Sequence, residues 1–293
     1  MRFIHLLNST LFFLVINGCF SISYASYNQP ENIGNYALPY SQQPGALLSF
    51  GQNTLGKGLT QLYLFADDIA GDKQHYIDAM PAIVYGVSDN LSIYLNIPYA
   101  VNYQLENNHS SGLNDILVQL EYAFYYNQTS NYSETATVVF NTSFPTGSVT
   151  KNPPIGLGAQ AFFLGGTFSR MYTDWLGFVS PGMEITTTHH GLKSGNSFLY
   201  QLGIGKNISY ETSRYIFSWL LELNGTYYQK NRIYGESDPD SGGNIIYATP
   251  SIWISTQHFI LQAGMGWAIA QHWNGEQPKS TYLIACNLGW TFS

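Results

Sequence analysis

Apolar and polar residues alternate in several segments of this chain. In the last segment, large apolar or sulfur-containing side chains fill every second position: Tyr282, Ile284, Cys286, Leu288, Trp290 and Phe292. Five small or polar residues fall on the other face: Thr281, Ala285, Asn287, Gly289 and Thr291. A period of two predicts a β-strand with one apolar face and one polar face. The same division occurs within residues 116–124, 215–224 and 259–269.

Two further segments, around Ile83 and Ile252, are apolar on both faces. Each contains a proline, Pro81 or Pro250, which cannot donate a backbone hydrogen bond to a neighbouring strand. We therefore expect β-bulges or strand boundaries at these two places.

Short polar breaks separate the alternating segments and recur roughly every forty residues, the length of two membrane-crossing strands and one longer loop. The breaks are residues 88–90, 127–132, 173–174, 209–213 and 255–258. Longer polar segments lie between them, at residues 67–77, 106–111, 145–157, 189–195, 230–243 and 271–279. This arrangement predicts an all-β fold: a closed antiparallel transmembrane β-barrel of about twelve strands, with short periplasmic turns and longer extracellular loops.

Composition supports a membrane barrel. Only 10% of the residues are charged, against roughly a quarter in ordinary soluble domains, and 16% are aromatic. The mean hydropathy of -0.08, with no apolar run beyond the N-terminus near the roughly 18 residues of a spanning helix, disfavours a helical membrane protein. We therefore expect an integral protein of a Gram-negative outer membrane, surrounded by lipid and lipopolysaccharide and inserted by the barrel-assembly machinery.

Residues 1–25 have the features of a signal peptide: Arg2, an apolar stretch, and the small residues that precede a cleavage site after Ala25. The alternative is a lipoprotein signal in which Cys19 is lipidated. Removal of residues 1–25 takes away Arg2 and no acidic residue, so the net charge changes from -7 to -8. This net negative charge disfavours binding to nucleic acids, which are themselves negatively charged. Cys286, then the only cysteine, is expected among lipid-facing residues.

Residues 26–57 precede the first clear strand, and 58–293 form the predicted barrel. With Pro30, Pro39 and Pro44, the leading stretch has no strand pattern and predicts a periplasmic tail or a lumen plug. An additional short strand near Leu47 is the alternative.

Four motifs resemble, in order, those of the outer-membrane β-barrel family of MetA-pathway phenol-degradation transporter proteins. They are residues 85–91 (YGVSDNL), 97–99 (IPY), 112–115 (GLND) and 144–147 (FPTG). The resemblance extends from about Gly45 to the C-terminus. It implies a channel for aromatic or other hydrophobic compounds and identifies no binding residues.

The candidate functional residues are polar side chains on the predicted lumen face: Asp115, Glu121, Glu184, Glu222, Asn224 and Gln262. Carboxylates in a pore favour cations or bind polar solutes. The alternative explanation is that a lumen position merely tolerates charge, which costs a few kcal/mol on the lipid face. The loop containing Pro145, Pro153 and Pro154 is a candidate constriction.

Other candidate chemistry is weaker, and we expect no metal and no cofactor. Acidic residues at 67–78 and 236–240 lack the spacing of a calcium loop. His189 and His190, if they lie on a strand, point to opposite faces. The expected function is therefore diffusion of small solutes through an outer-membrane channel. The alternatives are a non-transporting surface or structural barrel and, third, a barrel lipid hydrolase, for which no His-x-Ser pair occurs.

Overall fold

The computed structural model describes residues 31–51 and 54–292, which excludes the expected signal peptide and Cys19. The described residues form β-strands and two short 3-10 helices, Gly34–Tyr36 and Tyr40–Gln42. Neither helix is long and apolar enough to cross a membrane. The strands are β1 (Thr60–Gly71), β2 (Gln74–Ser88), β3 (Leu91–Asn96), β4 (Tyr99–Leu105), β5 (Asn108–Leu113), β6 (Ile116–Gln128), β7 (Tyr132–Phe144), β8 (Ala161–Tyr172), β9 (Trp175–Thr186), β10 (Leu192–Lys193), β11 (Ser197–Glu211), β12 (Tyr215–Tyr228), β13 (Arg232–Ile233), β14 (Glu236–Ser237), β15 (Gly243–Thr256), β16 (Phe259–Trp273) and β17 (Ser280–Phe292).

The main sheet closes on itself, because β1 pairs with β17 on one side and with β2 on the other. All of its strand pairs are antiparallel. The strands β3 and β4 form one wall crossing, since both pair with β2 and only Ile97 and Pro98 separate them. The strands β5 and β6 likewise form one crossing, interrupted at Asn114 and Asp115. The wall therefore has twelve crossings, which confirms the predicted closed barrel.

The two ends of the barrel differ. Five turns of two or three residues occupy one end, and they fall at the five predicted polar breaks. We call it the short-turn end, which faces the periplasm in outer-membrane barrels. The opposite, long-loop end has connections at residues 145–160, 187–196, 229–242 and 274–279. The two-residue strands β10, β13 and β14 form a separate small sheet at this end.

The prediction of a loop at residues 67–77 is wrong. The strands β1 and β2 continue to Gly71 and Gln74, and only Asp72 and Lys73 form the turn between them. The polar residues in this region reflect contact with the barrel interior: Asp67 pairs in register with Asp78. The predicted loop at 106–111 is also shorter, since β5 begins at Asn108.

The alternation of buried and exposed positions follows the sequence pattern. In β12, for example, Ser218 and Glu222 are buried on the inner face, and Leu221 is exposed on the outer face. Cys286 is half-buried and shares the outer face of β17 with the exposed Ile284 and Leu288. This division gives the barrel an apolar exterior and an interior with many polar side chains.

The prolines do not end their strands. Pro81 and Pro250 lie on the outer face within continuous strands, and the register shifts close to each: at Ile77/Asp78 in the pairing with β4, and at Ile246/Tyr247. On its other side each proline keeps a register partner, Leu64 for Pro81 and Leu221 for Pro250, so each strand continues past its proline.

Substitution of Val138 by arginine tests the orientation of the wall. Val138 is exposed at the middle of β7, where an arginine in contact with lipid costs about 2–4 kcal/mol. Val87→Arg is the matched control, since Val87 is exposed on the same face but near the short-turn rim, where the cost is about 0–1 kcal/mol. Denaturant unfolding in lipid vesicles measures both free energies. Equal losses of unfolding free energy at the two positions would contradict the placement of Val138 at the middle of the membrane and of Val87 at its edge.

Candidate functional site in the barrel lumen

The chain before β1 lies inside the barrel. We call residues 31–59 the inner segment; residues 52 and 53 lie outside the described part. The segment first contacts the short-turn end, where Asn35 N donates to Thr173 O at 2.7 Å and Ser213 N donates to Ala37 O at 2.9 Å. These backbone contacts fix its entry to two of the short turns.

Tyr36 strengthens this entry. Its hydroxyl accepts a hydrogen bond from Ser133 N at 2.9 Å and donates one to Met171 O. Burial raises the pKa of Tyr36, so the phenol keeps the proton that it donates. The ring thereby links the inner segment to β7 and β8.

A single carboxylate holds the middle of the inner segment. Glu222, which is 0% exposed, accepts hydrogen bonds from three consecutive backbone amides: Leu47 N at 2.5 Å, Leu48 N at 3.2 Å and Ser49 N at 3.3 Å. The Ser49 hydroxyl donates to the same carboxylate at 3.2 Å. Consecutive N–H groups that converge on one anion form a nest, and each hydrogen bond to a charged group contributes about 1.5–3 kcal/mol. Glu222 is therefore the main polar attachment of the segment at mid-barrel.

Other wall side chains bind the backbone carbonyl groups of the segment. Amide and hydroxyl groups from β7, β8, β15, β16 and β17 supply the donors. The pairs are Gln262 Nε2 to Gly45 O (3.0 Å), Asn287 Nδ2 to Leu47 O (3.4 Å), Ser255 Oγ to Gln42 O (2.7 Å), Thr167 Oγ1 to Phe50 O (2.8 Å) and Thr137 Oγ1 to Gly51 O (3.3 Å). The wall thus replaces the hydrogen bonds that a strand partner would supply.

The segment turns back near Phe50. The Phe50 ring contacts Phe163 edge to face, with centroids 4.6 Å apart. A Cβ atom at Gly165 would lie 2.5 Å from the Phe50 ring, so this close approach requires glycine in β8. The chain then returns to the short-turn end, where Leu55 N donates to Ser92 Oγ at 2.8 Å and Gly58 N donates to Gly86 O at 2.8 Å.

A cavity of about 300 Å³ remains between the inner segment and the wall. The segment contributes Tyr40, Ser41, residues 43–51, Thr54 and Leu55, and the wall contributes residues from both sides of the lumen. On the side of β1, β3 and β6 the lining includes Gln61, Tyr63, Tyr94 and Gln119. The inner segment therefore narrows the lumen without filling it.

The six residues expected at the lumen fall into three groups. Glu222, Asn224 and Gln262 contact the inner segment; Ser49 Oγ lies 3.1 Å from Asn224 Oδ1. Asp115 contacts the long outer loop. Glu121, which is buried, and Glu184, which is half-buried, lie on inner faces of β6 and β9.

Sequence analysis missed two inward carboxylates, Asp67 and Asp78, because it assigned them to a loop. Their strands continue past them, and Tyr103 OH donates to Asp78 Oδ1 at 3.0 Å. The sequence also gave no indication that Glu222 binds the backbone amides of residues 47–49, because the inner segment lacks the alternation that would place it. The alternation of apolar and polar residues in β1 continues to Asp67 and could have placed this residue on the inner face.

Asp115 fastens the loop of residues 145–160. Its two carboxylate oxygens accept hydrogen bonds from Gly147 N at 2.9 Å and Leu157 N at 2.7 Å. Thr146 Oγ1 accepts from Ile116 N and donates to Asn114 O, both at 2.9 Å. Two of the motifs behind the family resemblance, 112–115 and 144–147, therefore contact each other.

The proline-containing part of this loop packs against β5. Ser110 Oγ donates to Pro153 O at 2.7 Å, and Pro153 is buried, whereas Pro145 and Pro154 are exposed. Ile155, within the same loop, is fully buried. The loop is thus folded onto the long-loop end.

His189 and His190 lie outside the long strands, where their rings contact each other with centroids 4.1 Å apart. This agrees with the prediction of a polar segment between strands at residues 189–195. Among the described residues no cluster of three or more His, Cys, Asp or Glu side chains could hold a metal ion.

Comparison with protein-family models and with curated proteins finds no match. Solved structures are similar in fold. An outer-membrane channel from Pseudomonas putida F1 has 14% sequence identity and a TM-score of 0.69, covering 85% of this chain and 99% of that one. The porin NanC has 10% identity and a TM-score of 0.50, covering 78% and 98%. LpxR from Salmonella typhimurium has 8% identity and a TM-score of 0.48, covering 79% and 100%. The first two show that this chain has the fold of an outer-membrane barrel.

Glu222→Gln tests the attachment of the inner segment. The glutamine keeps the volume but loses the charge and turns an amide donor towards N–H groups. Hydrogen exchange at the amides of residues 47–49 should accelerate about tenfold or more, as expected when roughly 1.4 kcal/mol of stabilisation is lost. Glu184→Gln is the matched control, because Glu184 makes no hydrogen bond to the described part of the segment. Equal acceleration in both variants would contradict a specific role for Glu222.

Asp115→Ala tests the attachment of the outer loop. Loss of both acceptors should free residues 145–160 and increase tryptic cleavage after Lys151 several-fold, since cleavage requires local opening. Cleavage after Lys73, in a turn at the same end, is the internal control. Asp115→Asn retains one acceptor and should give an intermediate rate. An unchanged rate after Lys151 would mean that other contacts hold the loop.

Proposed function

We propose that this protein is an outer-membrane channel through which small solutes diffuse, with residues 26–57 acting as a lumen plug. The observation that supports this most directly is the cavity of about 300 Å³ beside the inner segment, inside a closed barrel with many polar groups on its inner face. Hydroxyl and amide groups on such a wall replace part of the hydration shell of a solute. Transport of this kind needs no cofactor and no energy source.

The proposed function requires export of the chain and a lipid environment. Residues 1–25 act as a signal peptide, and the barrel reaches the outer membrane with the help of the barrel-assembly machinery. The apolar exterior contacts lipid and lipopolysaccharide. Exposed outer-face residues such as Leu164, Val179 and Ile204 support this placement.

The charge of the interior favours cations over anions. Asp67, Asp78, Glu121 and Glu184 face inwards on their strands. Arg170 and Lys206 are the only arginine and lysine on the twelve described crossings, and both extend outwards, over the rings of Tyr132 and Trp175 respectively. A wall that turns carboxylates inwards, and no lysine or arginine on its described crossings, attracts cations and repels anions.

The solutes that we propose are small and include aromatic or hydrophobic compounds. The family resemblance supports this class, and so do the aromatic rings that line part of the cavity, Tyr63, Phe65 and Tyr94. The outer loop with Pro145, Pro153 and Pro154 acts as a constriction at the long-loop end.

A non-transporting barrel is the second candidate, and the extent of hydrogen bonding between the wall and the inner segment favours it. The conductance after release of the inner segment distinguishes a channel from a non-transporting barrel. Glu222→Gln raises the conductance of a plugged channel, whereas Glu184→Gln leaves the plug in place. An assay of lipid hydrolysis decides the enzyme alternative.

Conductance of the purified mature chain in a planar bilayer, with a salt gradient, tests the proposed function. We expect a small, steady, cation-preferring conductance. The double variant Asp67→Asn, Asp78→Asn should lower the cation preference, because it removes two inward charges. Glu134→Gln is the control, since Glu134 binds Arg170 on the outside of the barrel, with Arg170 Nε 2.8 Å from Glu134 Oε1. A silent bilayer from folded protein, in both the native chain and Glu222→Gln, would refute the channel.

A further inference from the structure

Three side chains form a row on the lipid-facing surface of the wall near the short-turn end. In the strand register, Lys206 of β11 lies between Trp175 of β9 and Trp219 of β12. Trp175 is the first residue of β9, directly after the turn at Thr173 and Asp174, so the row begins at the rim of the barrel. Residues that face each other in antiparallel strands point to the same side of the sheet. All three side chains therefore extend outwards, towards the edge of the membrane.

The three side chains contact one another. Lys206 Nζ lies 5.0 Å from the centre of the Trp175 ring, and the rings of Trp175 and Trp219 meet edge to face with centroids 6.2 Å apart. An ammonium group at this distance from an indole is attracted by the ring, and the aromatic pair adds a second favourable contact. The charge of Lys206 is therefore held beside both indoles.

This row supplies hydrogen-bond donors without acceptors. The ammonium group of Lys206 has three N–H groups and each indole has one. Within residues 31–51 and 54–292, no carboxylate forms an ion pair with Lys206, and neither indole N–H of the row has an acceptor. Asp174, the acid next to Trp175 in sequence, also leaves Lys206 unpaired. The acceptors for these donors must therefore come from outside the described chain.

The other cation on the lipid-facing wall is neutralised by the chain itself. Arg170 Nε donates to Glu134 Oε1 at 2.8 Å, and the guanidinium lies 4.8 Å from the centre of the Tyr132 ring. Both cations thus lie over an aromatic ring near the same rim, but only Arg170 has a carboxylate. A charge on the lipid-facing surface is costly unless it reaches a partner or the headgroup region. Lys206 therefore requires a negative charge from the membrane.

The position of the row identifies the source of that charge. The short-turn end faces the periplasm in outer-membrane barrels, and the leaflet on that side consists of glycerophospholipids. The unesterified oxygens of a phosphate group accept hydrogen bonds from an ammonium group and from N–H groups together. Phosphatidylethanolamine has an ammonium group of its own, which competes for the phosphate, whereas phosphatidylglycerol has a net negative charge. The row therefore favours an anionic phospholipid.

We propose that Lys206, Trp175 and Trp219 form a binding site for the phosphate group of an anionic phospholipid in the periplasmic leaflet. Lys206 pairs with the phosphate, and the indole N–H groups donate to its oxygens. The acyl chains lie along exposed outer-face residues closer to the middle of the membrane, such as Val179 and Ile204. The site lies on the outside of the wall, so it does not depend on what passes through the lumen.

Native mass spectrometry of the purified full chain tests the site. The chain is equilibrated in detergent with equal amounts of phosphatidylglycerol and phosphatidylethanolamine that have the same acyl chains, and the lipids retained after detergent removal are counted. We expect one phosphatidylglycerol to be retained, with a Kd about five- to tenfold below that of phosphatidylethanolamine. Heat-dependent mobility on a denaturing gel verifies that each sample is folded.

Matched variants assign the preference to this row. Lys206→Met keeps the length of the side chain without its charge and should abolish the preference, whereas Lys206→Arg should keep it within about twofold. Trp175→Phe and Trp219→Phe keep a ring but lose the N–H donor, and each should weaken retention of phosphatidylglycerol several-fold. Arg214→Gln is the control, because Arg214 is an exposed cation at the same end that already pairs with Glu211, at 2.7 Å. Its retained lipid should equal that of the native chain.

Four results would overturn the inference. They are equal retention of the two phospholipids, native preference in Lys206→Met, an equal loss in Arg214→Gln, and tighter retention of lipopolysaccharide, which occupies the opposite leaflet. Conductance measured on the same preparations separates this site from the proposed channel. A chain that conducts without the lipid preference contradicts the site alone, and one that retains phosphatidylglycerol without conducting contradicts the channel alone.

Discussion

The pairing of β1 with β17 is the contact on which the rest of the structure depends. In hydrocarbon, an unpaired strand edge leaves N–H and C=O groups unsatisfied, each at a cost of several kcal/mol. Closure removes both edges and creates an enclosed interior that excludes lipid. The inner segment lies in that interior without a β-strand of its own among its described residues, so side chains of the wall supply hydrogen bonds that strand neighbours would otherwise provide.

The wall supplies these bonds unevenly. The described contacts of residues 45–49 lie on β12, β16 and β17, with Glu222 at their centre. The opposite side, formed by β1 and β3, keeps open space. The asymmetry follows from a single buried carboxylate, which attracts consecutive amides of the segment and holds them to one side of the lumen.

Local patterns predicted the wall because a strand in a barrel alternates regardless of its partners. The turns at 173–174 and 255–258 were predictable for the same reason. Asp67 and Asp78 were mistaken for loop residues, since paired acids inside a barrel have the same composition as a polar loop. The contact between Glu222 and Leu47 could not be predicted, because the two residues are far apart in sequence and the segment that holds Leu47 has no periodicity. The cavity between the inner segment and the wall likewise depends on where that segment lies.

Most contacts at the middle of the inner segment use its backbone atoms, whereas the wall uses side chains. Leu47, Leu48 and Phe50 offer N–H or C=O groups that every non-proline residue has, but Glu222, Gln262 and Thr167 must be those residue types or close equivalents. Selection on this attachment therefore acts on the barrel wall. At Leu47 and Leu48 the hydrogen bonds constrain the inner segment only by excluding proline, whereas Tyr36, Ser49 and Phe50 also contribute side chains, and the inward polar positions of β8, β12 and β16 must keep their residue types.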